Sequence, residues 1–588
     1  MTEIETFASL HLDGKPIPLR FGVMCNGMVF QRWQADALNE LNEHGHHLVL
    51  MIRDSRRPPG TSRLRNLLKK KWNTLPYTFL ENRMFKPVAK MPVNLQKQLQ
   101  NVETLSCLVE KKGYSEYFND PDIGAIREFR LDFILRFGFG IIRGEILSAA
   151  RFGVWSFHHD DEMLYRGGPP GFWEIYRNDP VNGAMLQRLT PNLDGGVVLK
   201  KGYLKTIMHS YRENLNQLLM VSSSWPAQVA DDISHKLSDL GCVTDTLATP
   251  GSNTAAPVFK LPGNGSMLKF LFLLIRNRIK FYYRELWSAE IWNVGVIMKP
   301  VHEIVLANQR IRDKEVTWLP PVARPGYLAD PFGFIENNRL HILAEDYSYR
   351  EQKAIISEMV LPHPDGVGDP DGVVEPVRAI YDAPHLSYPY TFDFLGDVYC
   401  LPESYRSDKL TLYLRDRVTG LFTRKKIILE GVRAVDPILL FYDNMWWLFF
   451  SERKYSNTHL FLYYSPGLRD DFIPHRMNPV KIDIRSARPA GTPFIYENIL
   501  YRPAQDCSAT YGARVAINRI VHLSPEEFAE ETLKYIEPVQ GSRYGRGLHT
   551  ISAVGNITLI DGKRYQFNCH YLLHQLRKKM SRKDPEHV

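Results

Sequence analysis

Cysteine is scarce. The chain has six in 588 residues, at positions 25, 107, 242, 400, 507 and 569, and no two form a CxxC pair. That spacing excludes a disulfide framework and a structural zinc site, and it suits a reducing compartment. Long apolar runs are missing as well: none reaches the ~20 residues that span a bilayer. The N-terminal stretch MTEIETFASLHLDGK is polar and acidic and lacks the apolar centre of a secretory signal. There is no GxGxxG, since Gly27 stands alone, so a dinucleotide is not expected. Without HExxH or a comparable spacing, no metal is expected either. The formal net charge is +8, partly gathered in the basic runs Arg53–Lys71 and Arg577–Lys583. No zinc finger, RNA-recognition signature or basic helix repeat accompanies it, so the runs read as solvated faces and no nucleic-acid partner is expected. These absences predict a cytoplasmic protein.

Hydrophobic residues make up 44% and charged residues 23%, the balance of a soluble globular chain. A prior of ~150 residues per domain implies several units. The first strong strand is Leu19–Cys25, followed by a turn at Asn26-Gly27 and a helical stretch through Trp33, Ala37 and Leu41. His47–Ile52 is then a continuous apolar strand. Strand, turn, helix and buried strand make the βαβ unit of a doubly wound sheet. Phe133–Phe137 reads as another strand, Gly144–Arg151 as a short helix, and Val154–His158 as a strand ending in polar residues. Lys205–Leu240 is helical, and Thr244–Ser266 has the Pro/Gly/Ser/Thr composition of a linker. Met267–Trp287 is a helix with Arg276, Arg278, Lys280 and Arg284 among apolar residues. Two readings of it stay open: a helix docked between domains, or a peripheral helix on the inner face of an anionic membrane.

After Trp292 the texture changes to short alternating strands with an approximate repeat. Asp330-Pro331 is followed by Ala344-Glu345-Asp346, Tyr388-Pro389 by Pro402-Glu403-Ser404, and Asp436-Pro437 by Ser451-Glu452-Arg453. Thr492-Pro493 is followed by Arg502-Pro503, and a last unit opens at Gly547-Leu548-His549-Thr550. Five units of ~50 residues predict a five-bladed propeller.

Chemistry-bearing residues concentrate in Ser156-Phe157-His158-His159-Asp160-Asp161-Glu162, continuing through Tyr165-Arg166-Gly167-Gly168-Pro169-Pro170 to Trp173 and later Leu193-Asp194-Gly195-Gly196. Adjacent His158 and His159 point to opposite faces of an extended strand, so they do not share one role. This register resembles the formyltransferase family, which includes methionyl-tRNA and sugar N-formyltransferases. There the signature is Asn-x-His, a loop ending in Tyr-Arg-Gly-x-x-Pro, a Trp, and Leu-Asp-x-Gly. The resemblance covers roughly the first third of the chain. It implies acyl transfer from formyl-tetrahydrofolate, with His158 as acid–base residue, Asp194 as its orienter and amine base, and Ser156 in the place of the family's Asn as oxyanion donor. His159, Asp160, Tyr165, Arg166, Gly167, Pro170 and Trp173 would shape the substrate and cofactor pocket.

The repeat half resembles five-bladed propellers of the arabinanase and β-xylosidase type. Its Trp292–Gly295 opening and Leu401–Ser404 run resemble the propeller domain of glucosamine inositolphosphorylceramide transferase-like proteins. That resemblance implies a central funnel holding Asp330, Glu345, Glu403, Asp436, Glu452 and an axial His549, and paired carboxylates are the instrument of glycoside chemistry. The expected architecture is an α/β doubly wound formyltransferase-like domain (1–202), a helical segment and linker (203–290), an all-β five-bladed propeller (291–575) and a basic tail (576–588). The expected activity is formyl transfer to a nucleotide- or lipid-linked amino sugar in surface glycan or glycolipid biosynthesis. Two alternatives remain: a glycoside-active propeller beside a degenerate formyltransferase domain, and a noncatalytic glycan-binding scaffold.

Overall fold

The computed structural model describes residues 17–55, 74–191, 195–240, 254–362, 375–381, 385–404 and 406–567. Asp194, most of the Arg53–Lys71 run, the first half of the expected linker and the basic tail lie outside the described residues. The chain divides into two compact units, Met1–Arg278 and Ile279–Val588.

The first unit is built on one seven-stranded sheet. Its strands are β1 (Arg20–Cys25), β2 (His47–Asp54), β3 (Glu103–Cys107), β4 (Phe133–Arg136), β5 (Val154–His158), β6 (Val181–Arg188) and β7 (Val197–Lys205), in spatial order β7-β6-β5-β4-β1-β2-β3. Strands β1 to β5 run parallel, and β6 and β7 add an antiparallel edge. Parallel strands are covered on both faces, which is why their cores are unbroken apolar runs. On one face Phe21, Phe133 and Trp155 stack at centroid distances of 5.1 and 3.9 Å. On the other, Met24, Leu50, Ile52, Ile134 and Val154 meet Ile123 and Ile126 of the helix Asp120–Glu128. Helix α1 (Arg32–Glu43) buries Trp33, Ala37, Leu38 and Leu41, one face at helical spacing. Its start is fixed by Gln34 Oε1 accepting from the Gln31 amide at 3.0 Å.

Three local expectations change. Gly144–Arg151 contains only a 3-10 turn, Glu145–Ser148. Strand β7 runs to Lys205, and the helices that follow are Tyr211–Ser222 and Trp225–Leu240. Within the expected linker, Val258–Phe259 is a strand paired in parallel with Arg166–Gly167, too short to show any periodicity. The helix after it runs from Asn264 to Trp287 and buries Met267, Phe270, Leu273 and Asn277. Leu268, Phe272 and Ile275 on its opposite side are exposed. Among the described residues no helix is long and apolar enough to cross a membrane.

Among its described residues the second unit contains five antiparallel sheets, four of four strands and one of five. The first joins β8 (Ala289–Ile297) to two strands from the far end of the chain, β16 (Ile551–Val554) and β17 (Ile557–Gln566). The others open with the hairpins β9 (Gly326–Glu336)–β10 (Arg339–Ser348), β11 (Ser387–Phe394)–β12 (Asp397–Glu403), β13 (Ala434–Tyr442)–β14 (Met445–Glu452) and Phe494–Tyr496 with β15 (Ile499–Asp506). Sealing the first sheet with the last strands ties the two ends of the unit's chain together by backbone hydrogen bonds. First strands of successive sheets are tied laterally: Thr391 Oγ1 donates to Gly333 O at 3.1 Å and Tyr390 OH to Leu439 O at 2.9 Å. The unit is propeller-like, and the sequence repeat is its sheet repeat.

Candidate functional site

In the first unit the chain leaves β1 for β2 and β3 on one side and returns to β4 on the other. The β1/β4 boundary is therefore the topological switch point, where open α/β sheets hold ligands. A cavity of about 260 Å³ opens there, lined by Cys25, Asn26, Phe137, Lys86 and Lys90 among others. His158 ends β5, half-buried, and its Nε2 donates to the Tyr165 carbonyl at 3.2 Å. Ser156 lies two residues earlier on the same strand and is 1% exposed. Its hydroxyl oxygen accepts from Arg136 Nη2 at 2.7 Å and Nε at 3.1 Å. Arg136 was not anticipated as a site residue, because the sequence places it only at the end of a strand.

Several expected pocket residues are turned into the scaffold. His159 is buried between Trp33 and Phe157 and bonds Ser222 Oγ at 3.0 Å. Burial holds its pKa down to about 3, so the imidazole is neutral. Asp160 accepts from the Gly171 amide at 2.8 Å, and burial, then its neighbour Glu174, pushes its carboxyl well above the ordinary range. Burial raises Glu174 to about 7. Tyr165 OH donates to Asp179 at 3.2 Å, and Arg166 Nη1 reaches the Ala256 carbonyl at 3.4 Å. Gly167 has φ +89°, and a Cβ there would lie 2.2 Å from Phe259 O, so only glycine lets the two short strands meet. Pro170 O accepts from Tyr211 OH at 3.0 Å, and Trp173 Nε1 donates to Gly168 O at 3.2 Å. Of the residues expected to act here, Ser156 and His158 share one strand face.

The second unit brings more titratable groups together. Asp330, Tyr388 and Asp436 each precede a proline, sit at φ of +50°, +45° and +49°, and occupy a bulge in the first strand of their sheet. Proline cannot donate to the ladder, so the bulge is where it is tolerated. Left-handed backbone at three equivalent positions is the kind of strain that clusters at functional sites. Each freed amide finds a carboxylate where one is present. Asp330 N donates to Asp561 Oδ2 at 3.2 Å, and Asp436 N to Glu403 Oε2 at 3.1 Å.

Around these positions the cluster closes. Arg488 grips Asp436 with Nε at 2.6 Å and Nη2 at 3.2 Å, and Gln505 donates to the same carboxylate at 2.7 Å. Thr550 Oγ1 donates to Asp330 at 2.6 Å. His549 lies between two carboxylates, with Nδ1 2.5 Å from Asp561 and Nε2 3.5 Å from Asp330, and stacks on Trp292 at 3.9 Å. Tyr327 OH donates to Glu345 at 3.4 Å. Burial raises Glu403 to about 8 and Asp330 to about 6, with Asp436 adding to both. Burial also pushes Glu345 well above the carboxylate range, with Asp330 and Glu403 adding to it. Burial would lower His549, but Asp561 and Asp330 outweigh it and raise its pKa. Asp330, His549 and Asp561 bring ligand atoms within 4.8 Å of one another and could hold a metal ion; an imidazole paired with two carboxylates accounts for the same geometry.

Residues 290–550 match the family model described as glucosamine inositolphosphorylceramide transferase 1, N-terminal. The glucosamine inositolphosphorylceramide transferase 1 of Oryza sativa subsp. japonica is 29% identical over 253 residues, 40% of this chain and 33% of the relative. That of Arabidopsis thaliana is 29% identical over 255 residues, 40% and 32%. The chain thus spans about a third of the length of these curated relatives. Among solved structures, a GH43_1 enzyme from Xanthomonas citri is similar at 14% identity and TM-score 0.30, covering 42% of this chain and 90% of its own. A glycinamide ribonucleotide transformylase 1 from Symbiobacterium toebii is similar at 13% identity and TM-score 0.27, covering 41% and 100%. The matched span holds Asp330, Glu345, Glu403, Asp436, Arg488 and His549; Asp561 lies just beyond it.

Glu452 does not join the cluster. Ala329 pairs with Glu345 and Ser387 with Glu403, each one residue before the bulge. The corresponding Val435 pairs with Ser451, and Glu452 comes one residue later. A one-residue offset turns a strand side chain to the other face; Glu452 follows Asp436 by 16 residues, whereas Glu345 and Glu403 follow Asp330 and Tyr388 by 15, and the expectation overlooked that difference. Arg488, Gln505 and Asp561 were missed. Asp561 was within reach, because it lies on the second strand of the last hairpin as Glu345 and Glu403 lie on theirs. Arg488 and Gln505 come from the fourth repeat, whose acidic positions are replaced.

Proposed function

We propose that the second unit makes or breaks a glycosidic bond on the saccharide headgroup of a glycolipid, in a five-bladed propeller. The observation that carries this reading is a raised acid beside an arginine-clamped one. Glu403, raised by burial to about 8, holds its proton at neutral pH, while Asp436 is clamped by the bidentate Arg488. Two carboxyl groups in unlike surroundings are the pairing that glycosyl chemistry uses as acid and as base or nucleophile. Glu403 would protonate the leaving oxygen, and Asp436, held in place by Arg488, would support the developing cationic sugar. Similarity of this span to enzymes named as glucosamine inositolphosphorylceramide transferases supports a glycolipid substrate. The test is turnover of glucosamine-bearing and inositolphosphoryl glycolipids by Glu403→Gln and Asp436→Asn, with products read by mass spectrometry. Full activity in both variants refutes it.

A second reading concerns the first unit: formyl transfer from formyl-tetrahydrofolate to an amino sugar. It is favoured by His158, half-buried at the C-terminal end of a parallel strand. Ser156, gripped by Arg136, would donate its own proton to the formyl oxygen with a guanidinium behind it. Calorimetry with formyl-tetrahydrofolate tests it, and no heat of binding refutes it.

A further inference from the structure

Beside the acidic cluster, within the second unit, lies a cavity of about 410 Å³, a size that suits a small-molecule site. Its walls include Trp292, Tyr327 and Tyr544 and two guanidinium groups, Arg324 and Arg564. Two walls are shared with the cluster: Trp292 stacks on His549, and Tyr327 donates to Glu345. No Asp or Glu lines the cavity among the described residues, so its charge is opposite to that of its neighbour.

We propose that this cavity is a subsite for the phosphoryl group of a phosphorylated saccharide whose sugar reaches the carboxyl cluster. The proposal rests on the glycosidic reading above. Arg564 is the telling residue. Its Nε is buried with no hydrogen-bond partner, its guanidinium lies 5.6 Å from the Tyr544 ring, and its cross-strand neighbour is the apolar Ile291. A buried donor without an acceptor is costly, so nothing within the protein ties this edge of the guanidinium, which forms part of the cavity wall. Arg324 is oriented by Asp346 and by the Tyr347 carbonyl, 3.2 Å away. A planar guanidinium fork matches phosphate geometry, while aromatic walls suit the apolar face of a sugar ring. An anion at one end and a neutral sugar at the other therefore match the cationic cavity and the acidic cluster in order.

The experiment titrates the full chain calorimetrically with glucose 1-phosphate and with glucose. It also measures cosedimentation with phosphatidylinositol-containing and pure phosphatidylcholine vesicles. The phosphorylated sugar should bind about tenfold or more tightly than glucose, the expected size of a charge-assisted contact. Arg564→Gln should abolish that preference and leave glucose binding unchanged. Arg564→Lys, which keeps the charge without the fork, should retain part of it, and equal melting midpoints confirm that both variants fold. Preference seen only with phosphatidylinositol vesicles, and lost in Arg564→Gln, assigns the phosphoryl group to a lipid headgroup rather than a free sugar phosphate. Equal affinity for phosphorylated and plain ligand in both assays, or a preference untouched by Arg564→Gln, overturns the proposal. Glu403→Gln separates the two readings: normal turnover with an Arg564-dependent preference removes the glycosidic reading and leaves the subsite standing.

Discussion

Replacing Arg488 with methionine tests whether the cluster is held by a buried ion pair. The guanidinium is 10% exposed at its side chain and the Asp436 carboxylate 3%, and two hydrogen bonds join them. Arg488 also reaches Asn457 at 3.0 Å and Tyr511 OH at 3.4 Å. Methionine fills similar space but leaves the buried Asp436 carboxylate without its cationic partner, with Gln505 still donating. Breaking one partner out of a buried pair costs about 3–5 kcal/mol. At roughly 2–4 °C per kcal/mol for a unit of this size, the melting midpoint should fall by roughly 6–20 °C. Neutralising both partners in Arg488→Met/Asp436→Asn removes the uncompensated charge and should recover most of the loss. Differential scanning calorimetry of wild type, both single variants and the double variant completes the cycle. A loss under about 1 kcal/mol in Arg488→Met, or a double variant no more stable than the single, refutes the reasoning.

His159 is neutral when folded and held near 3 by burial, so it contributes stability above its ordinary pKa that is lost as pH falls toward 3. At pH 4.5 that loss is about 3 kcal/mol, two pH units at ~1.4 each, and His159→Phe should shift the acid-unfolding midpoint to lower pH. Gly167→Ala meets Phe259 O at 2.2 Å with φ at +89°. Backbone strain alone should cost about 1–3 kcal/mol in chemical denaturation. Glu452→Gln should change neither turnover nor stability by more than about 0.5 kcal/mol, because the side chain faces away from the cluster. A large loss of turnover there would restore Glu452 to the site.

What the sequence showed follows from which signals are local. The parallel strands were legible because strands covered on both faces are continuous apolar runs, as in His47–Ile52. The sheets were legible because three hairpins repeat a proline-marked bulge and a polar turn, and the spacing carries on to the other two. Four of the cluster's carboxyl groups, Asp330, Glu345, Glu403 and Asp436, fell on those marks. Their partners did not, because Arg488, Gln505 and Asp561 meet them from other sheets, across 52 to 231 positions of sequence separation. The face of Glu452 was legible too: it stands 16 residues after Asp436, against 15 for Glu345 after Asp330 and for Glu403 after Tyr388, and that one residue reverses its face. In the first unit the His158-His159 pair was separated correctly by strand alternation. That Asp160 would cap Gly171 and share its surroundings with Glu174 depends on a turn the chain makes later.

The central claim is that Glu403 and Asp436 carry glycosyl chemistry, and one pH–rate measurement on a glycolipid substrate tests it most directly. With Glu403 acting as the acid, wild-type turnover should fall as pH rises through about 8, where that proton is lost. Glu403→Gln should lower turnover by about 10²-fold or more and flatten the alkaline limb. Turnover in Glu403→Gln equal to wild type, with the alkaline limb unchanged, would contradict the account.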